Sequence, residues 1–304
     1  MRLKYNVDTQ IIFQIGDPMD RSCSPFMMNA LYDYAHVNAV CLPVTIPKGG
    51  LPEFIQAART LHAAGFGLTM PHKSDIIPLL DVCDEASRLF NSVNTVRFQD
   101  DRLIGIGFDG LGMGMAIESQ TGPVAGKRVL LIGAGSVSGP IGAALCQKGA
   151  IQVHVVNRTV DKACNVAETL SNLYGIQTSY GLLSDDELCA VAPDVDLAVQ
   201  CTSLGMSAAS GDFESLRFVD QLPDDCVVAD VLYPVTTLLN AAKSRGLRTV
   251  NGKGMMLEQQ LATMDFRFGI RLDRQALLEA EEALDIAIAM RDLRAQRISS
   301  ILSH

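Results

Sequence analysis

Short apolar runs of four to six residues alternate along most of the chain with helix-length segments whose apolar positions recur every three or four residues. A strand buried on both faces reads as continuous apolar sequence, whereas recurrence at three and four residues marks one face of a helix. Strands are therefore predicted at 11–15, 40–46, 66–69, 128–132, 151–156, 195–200 and 226–230. Helices are predicted at 25–36, 51–63, 110–119, 137–147, 160–171, 236–244, 253–268 and 274–295. Segments 92–98 and 103–107 flank Gln99-Asp100-Asp101-Arg102 and read as a hairpin, which adds an antiparallel pair to the first sheet. The rhythm is that of βαβ units, so the expected fold is α/β with mostly parallel sheets.

A Gly/Pro stretch at 119–127, SQTGPVAGK, precedes the apolar run 128–132 and separates an N-terminal α/β domain from one that reads as a dinucleotide domain. The expected division is 1–110 for the first domain and 111–250 for a nucleotide domain. The C-terminal helices in 251–304 are expected to return to the first domain, although their apolar stripes suit either half.

The length of 304 residues agrees with two domains of roughly 150 residues each. Lys plus Arg number 25 against 34 Asp plus Glu, and this excess of negative charge argues against a nucleic-acid interface. No apolar run approaches the roughly 18 residues of a membrane span. MRLKYNVDTQ leads into Ile11-Ile12-Phe13 with no long apolar leader, so the cytoplasm is the expected location. The eight cysteines never form CxxC and mostly lie in apolar segments, as reduced core thiols do, so no metal is expected.

Candidate chemistry concentrates at a few places. Strand 128–132 runs into Gly133-Ala134-Gly135-Ser136-Val137-Ser138 and then a helix, a GxGxxS loop. Its glycines permit a tight turn and close approach of a pyrophosphate to free N–H groups at the helix start, although a ligand-free turn has the same form. Strand 151–156 ends in Asn157-Arg158-Thr159, with Lys162 one helical turn beyond Arg158. Two cations and no carboxylate at this point favour a ribose 2′-phosphate, and hence NADP over NAD. Alternatively, Arg158 is a surface residue and Thr159 a helix cap.

In the first half, Ser22 and Ser24 stand beside Pro25 at a predicted helix start, where two hydroxyls suit a carboxylate and Ser24 also suits a plain N-cap. Thr69-Met70-Pro71-His72-Lys73 ends a strand, with Pro71 expected to open a helix. A lysine in a first turn, with a carboxylate to orient it, is a candidate general acid/base. Asp109 is a candidate for that carboxylate, and a simple N-cap is the alternative. No role is assigned to His72.

Taken in order, these segments resemble the shikimate dehydrogenase family, which includes quinate/shikimate dehydrogenases, from about Ile11 to Leu261. The resemblance is carried by Gly16-Asp17-Pro18 with Ser22-Cys23-Ser24-Pro25 and Asn29, by Gly67–Lys73, by Ser92–Val96 and by Gly105–Gly110. It continues through the glycine loop, Asn157–Lys162, Asp230–Pro234 and Gly252–Gln259. It implies a substrate domain, a Rossmann domain and a cleft whose closure aligns hydride donor and acceptor. The implied activity is a reversible, metal-free reduction of 3-dehydroshikimate to shikimate, or of a related cyclic hydroxy acid, in the shikimate pathway of aromatic amino acid biosynthesis. NADP is the implied cofactor, NAD the less favoured one, and a homodimer is compatible with the resemblance.

By position, Lys73 is then the general acid/base and Asp109 holds the same oxygen; Ser22, Ser24 and Tyr233 bind the carboxylate. Thr69, Asn94 and Gln259 read hydroxyls or the carbonyl. The implied cofactor residues are Glu85, Gly133, Ala134, Gly135, Ser136, Val137, Asn157, Arg158, Thr159, Lys162, Val231, Gly252 and Gly254. The sequence departs from the family pattern at three places: Gly67 replaces an Asn, Gly107-Phe108 replaces Asn-Thr, and Arg21 replaces a His. Fewer hydrogen-bonding groups and a bulky ring predict altered recognition of ring hydroxyls. The alternatives are a quinate/shikimate or aminoshikimate-type dehydrogenase using NAD or both cofactors, and a non-catalytic sensor of a cyclitol acid. Retention of Lys73 and Asp109 speaks against the sensor.

Overall fold

The computed structural model describes residues 5–20, 22–206, 210–233 and 235–302. They form a mixed α/β structure with two six-stranded, mostly parallel sheets. Over the described residues, one compact unit comprises Met1–Asp84, Val93–Ile106 and Gln260–His304, and a second comprises Glu85–Ser92 and Gly107–Gln259. The chain thus changes unit several times. Residues 85–92 join the second unit because Ser87 Oγ accepts from Gly107 N at 2.8 Å and the ring of Phe90 lies directly over Gly139. The Gly/Pro stretch at 119–127 lies inside the second unit, as the turn between a helix and the strand that follows.

The sheet of the first unit contains β1 (Gln10–Gly16), β2 (Ala39–Thr45), β3 (Gly65–Leu68), β4 (Val82–Cys83), β5 (Thr95–Gln99) and β6 (Arg102–Ile106), in the order β2-β1-β3-β5-β6-β4. Strand β5 runs antiparallel to both its neighbours. It is joined to β6 by Asp100 and Asp101, at φ 49° and 60°, a two-residue turn in the left-handed region that Asp tolerates. Phe13, Ile15, Phe66, Leu68 and Val96 point into a core closed by Leu51, Phe54 and Ala58. Those three come from α2 (Leu51–Thr60), which follows α1 (Ser24–Tyr34) in the chain. Helix α1 lies on the opposite face, where Met28 Sδ meets Cys41 Sγ at 3.6 Å and Asn29 exchanges two hydrogen bonds with the backbone of Cys41. The one-turn helix α3 (His72–Asp75) follows β3. The C-terminal helix Ala276–Leu302 packs on α1, within the same unit.

The second unit contains β7 (Arg128–Ile132), β8 (Gln152–Asn157), β9 (Gln177–Leu182), β10 (Leu197–Gln200), β11 (Val227–Asp230) and β12 (Arg248–Val250). Its strands are all parallel, in the order β12-β11-β10-β7-β8-β9, the doubly wound arrangement of a Rossmann domain. Its helices are α4 (Glu85–Leu89), α5 (Asp109–Thr121), α6 (Ser138–Gln147), α7 (Val160–Tyr174), α8 (Asp185–Val191), α9 (Thr237–Ser244) and the first half of α10 (Gly252–Phe268). Along β7, Val129 and Leu131 enter one hydrophobic cluster while Leu130 and Ile132 enter the other. Burial on both faces is why this strand reads as an unbroken apolar run. Strand β9 escapes that test: QTSYGL is only partly buried, at the sheet edge.

All eight cysteines are free thiols. Burial pushes Cys41, Cys146 and Cys226 up to about 12, which removes them as nucleophiles near neutral pH.

Candidate functional site

In the first unit, the chain after β1 brings two hydroxyls together. Ser22 Oγ and Ser24 Oγ lie 2.9 Å apart, each half-buried. Ser24 is not the cap expected for α1: it is the first helical residue, Cys23 holds the cap position, and no side chain caps the helix. Ser24 therefore does not cap α1, and the two hydroxyls lie side by side at the start of that helix.

Thr69 continues the sheet after β3, its N donating to Ile15 O at 2.9 Å and its carbonyl accepting from His72 N at 3.0 Å. The helix expected after Pro71 is a single turn, with Pro71 at its cap and Lys73 in that turn. So short a helix has little macrodipole to act on Lys73. His72 is what pins the turn. Its ring is fully buried and its Nε2 lies 2.7 Å from Ile46 O. A carbonyl only accepts, so Nε2 donates, and among the described residues the other ring nitrogen has no hydrogen-bond partner. The turn is also tied to the hairpin, since Lys73 O accepts from Val93 N at 2.9 Å. The next residue, Asn94, is buried: its N donates to Ile106 O at 3.2 Å and its carbonyl accepts from Leu68 N at 2.8 Å.

The second unit holds the glycine loop. Gly133 has φ +108°, and a Cβ there would lie 2.5 Å from Thr202 Cγ2. Gly135 is exposed, with nothing nearer to a built Cβ than Cys201 O at 3.8 Å. Ser138, in the place of a third glycine, is buried and donates to Gly133 O at 2.6 Å, closing the loop on itself. Close packing behind the loop falls one residue later, at Gly139, where a Cβ would collide with the ring of Phe90. Helix α6 starts at Ser138 with Val137 at the cap position and no side-chain cap, and Ser138 N donates to Gly135 O at 3.1 Å.

Asn157 clasps this loop, accepting from Ala134 N at 3.2 Å and donating to Thr159 O at 3.0 Å. Arg158, Thr159 and Lys162 are exposed beyond it. Thr159 occupies the cap position of α7 but makes no capping bond. Among the described residues neither Arg158 nor Lys162 is in an ion pair.

Asp109, also in this unit, is buried in the first turn of α5; Phe108, likewise buried, holds the cap position with no capping bond. The helix is set against its neighbours by glycines. A Cβ on Gly110 would collide with Pro140 O at the start of α6, and one on Gly112 would collide with Met255 O and lie 3.0 Å from Gln259 Cβ. Gln259 is buried and donates from its amide to Met255 O at 3.3 Å. Gly252 donates to Leu232 O at 2.9 Å, and a Cβ on it would collide with Val231 O; Gly254 is hemmed by Gln120 and Ala116. Tyr233 is half-buried, and Glu85 is exposed at the start of α4. Arg21 and Pro234, singled out by the sequence, lie outside the described residues.

Thr202 was not singled out by the sequence, and Asp230 appeared there only as the first residue of the Asp230–Pro234 segment, without a role of its own. Thr202 faces Gly133 from the end of β10, and the rule that ligands bind at the carboxyl ends of strands where the order reverses was the signal available for it. Asp230 is fully buried: it accepts from Leu232 N at 2.9 Å and from Thr236 Oγ1 at 2.7 Å. Burial pushes its carboxyl up to about 6 against the pull of those bonds, and nearby Asp212 adds to the rise.

Two family models match the chain: "Shikimate dehydrogenase substrate binding domain" over residues 14–96 and "Shikimate / quinate 5-dehydrogenase" over residues 116–207. A shikimate dehydrogenase (NADP(+)) of Alkaliphilus metalliredigens is 35% identical over 264 residues, which is 85% of this chain and 91% of that one. The chain belongs to the shikimate dehydrogenase family. The crystal structure of the shikimate dehydrogenase of Aquifex aeolicus matches with a TM-score of 0.79 at 30% identity, covering 92% of this chain and 98% of that one. The family fold also serves another substrate. The 5-ketofructose reductase of a Gluconobacter strain matches with a TM-score of 0.79 at 26% identity, covering 92% and 99%.

As a member of that family the protein is an oxidoreductase. The second unit fits a dinucleotide carrying a 2′-phosphate. It has a positive-φ glycine, an open Gly135, an uncapped helix start and, past Asn157, two exposed cations.

Proposed function

We propose that the protein is an NADP-dependent dehydrogenase that reversibly reduces 3-dehydroshikimate to shikimate, or a closely related cyclic keto acid to its hydroxy acid. The observation that carries this reading is the survival of each chemical part in a distinct local setting. The paired hydroxyls of Ser22 and Ser24 and the pinned turn of Lys73 lie in the first unit; buried Asp109 and the glycine loop lie in the second. The relatives' names support both the substrate class and the cofactor.

In this reading the first unit is the substrate domain. Ser22 and Ser24, with Tyr233 from the second unit, donate hydroxyls to the ring carboxylate, while Thr69, Asn94 and Gln259 address ring oxygens. Lys73 gives a proton to the carbonyl oxygen as it becomes an alkoxide and takes it back in the reverse direction; Asp109 holds that oxygen in place. The backbone from Gly133 to Val137 receives the pyrophosphate, and Arg158, Thr159 and Lys162 receive the 2′-phosphate, with Asn157 keeping the loop in shape. Glu85, Val231, Gly252 and Gly254 complete the cofactor side. NADP, when bound, supplies the two-electron chemistry.

Bare Gly67 and buried Phe108 favour a substrate whose ring hydroxyls differ from those of shikimate. A matrix of NADP and NAD against shikimate, quinate and aminoshikimate tests the whole reading. Turnover with NADP exceeding that with NAD on at least one ring acid is expected. The absence of turnover and of binding for every combination overturns it.

A further inference from the structure

One face of the first sheet carries a row of glycines at three neighbouring positions. On β1 and β3 the positions facing away from the Phe13–Leu68 core are Ile12, Gln14, Gly16, Gly65 and Gly67, and Thr69 follows on the same side. Helix α1, with Ser24 as its first residue, covers this face. Gly16 has no room for a side chain, since a Cβ there would collide with Thr69 Cγ2 and lie 2.9 Å from Met19 Sδ.

Gly67 is different. Its register partner on β1 is Gln14, and the Gln14 side chain lies across the glycine. A Cβ on Gly67 would collide with Gln14 Oε1 and lie 3.0 Å from its Cδ and 3.3 Å from its Nε2. Gln14 is partly exposed, with its amide lying over the glycine. A primary amide offers donors and an acceptor at once, the complement of a hydroxyl. This one lies near the carboxyl ends of parallel strands, two residues before Gly16, which itself abuts Thr69.

We propose that Gln14 is a specificity-determining residue, its amide hydrogen-bonding one ring hydroxyl of the substrate from the space that a side chain at position 67 would fill. The proposal rests on the functional reading above. It assigns to a neighbouring strand the recognition that the strand of Thr69 does not supply at Gly67.

The test compares wild type, Gln14→Met, Gly67→Asn and the double variant, using shikimate and analogues that each lack one ring hydroxyl. Steady-state kinetics and binding titrations are the readouts. Gln14→Met keeps bulk over Gly67 and removes the amide. It should lose about tenfold in kcat/KM, mostly through KM, on every compound that carries the recognised hydroxyl, and nothing on the one that lacks it. Gly67→Asn should drive Gln14 off the row. Combined with Gln14→Met, it should restore part of the discrimination, because an amide again reaches the row, now from β3. Equal losses on all compounds together with a lower Tm would show a packing role and overturn the proposal, as would unchanged kinetics throughout. If wild type neither binds nor turns over any compound, the functional reading falls and takes this proposal with it; if wild type is active and only the pattern fails, Gln14 alone is dismissed.

Discussion

The two units assemble their candidate sites by different means. In the nucleotide unit the backbone is the instrument: a glycine at φ +108°, an open glycine two residues later, a helix start without a cap and a loop closed by Ser138. In the substrate unit the side chains are the instrument: two serines with Oγ atoms 2.9 Å apart, a lysine on a turn pinned by His72, and an amide reaching over from the adjacent strand. Backbone sites admit few substitutions because the conformation itself is the ligand surface. Side-chain sites can be rewritten one residue at a time. A family that keeps one cofactor class while changing substrates is expected to divide its labour in this way.

Four perturbations sharpen or break that comparison. The largest effect is expected for Lys73→Ala, which should lower kcat by about 10²- to 10⁴-fold while a binding titration still finds both substrate and NADP. Turnover within a few-fold of wild type would remove Lys73 from the proton transfer. Next comes Gly133→Ala, which forces a side chain into a positive-φ position against Thr202. It should destabilise the protein by about 1–3 kcal/mol and weaken NADP binding more than tenfold. Tight NADP binding by this variant would show that the loop conformation is not the anion site.

Arg158→Ala should act on one phosphate only. The preference for NADP over NAD is expected to fall by roughly ten- to a hundredfold, with kinetics on NAD unchanged. An unaltered preference would return Arg158 to the ordinary surface.

The smallest effect concerns Asp230. Its folded carboxyl titrates at about 6 against an ordinary 3.8, so the native state holds the proton more tightly than the unfolded chain. The stability linked to this group is fully present below about pH 3.8 and is lost as pH rises through about 6. The loss is at most roughly 3 kcal/mol. Asp230→Asn retains an acceptor for Leu232 N and removes the titration, so Tm relative to wild type should rise across that window. A difference that does not change between pH 4 and pH 7 would show that Asp230 titrates normally.

The same division explains what could be read from the chain beforehand. Strand β7 was legible residue for residue, since Val129–Ile132 are buried on both faces. The glycine loop was legible because backbone demands leave glycine in the sequence. Strand β9, only partly buried, and three-residue β12 left no periodic signal. Gln14 was invisible for a deeper reason: it is separated from Gly67 by 53 positions, and only the β1–β3 register makes them neighbours. His72 was given no role because its partner, Ile46 O, is a backbone atom of a different segment. Residues 85–92 were assigned by chain order, whereas Ser87 and Phe90 carry them into the second unit.

Helix α5 has so little side chain on its inner surface that Gly110 and Gly112 put its backbone against Pro140 and Met255. Asp109 therefore belongs to the second unit and Lys73 to the first. In a chimera that exchanges residues 1–84, 93–106 and 260–304 for those of a relative, the incoming piece would bring its own lysine and its own ring preferences. Asp109 would stay behind in the second unit, so on the proposed reading new specificities can be grafted without replacing the residue that holds the reacting oxygen.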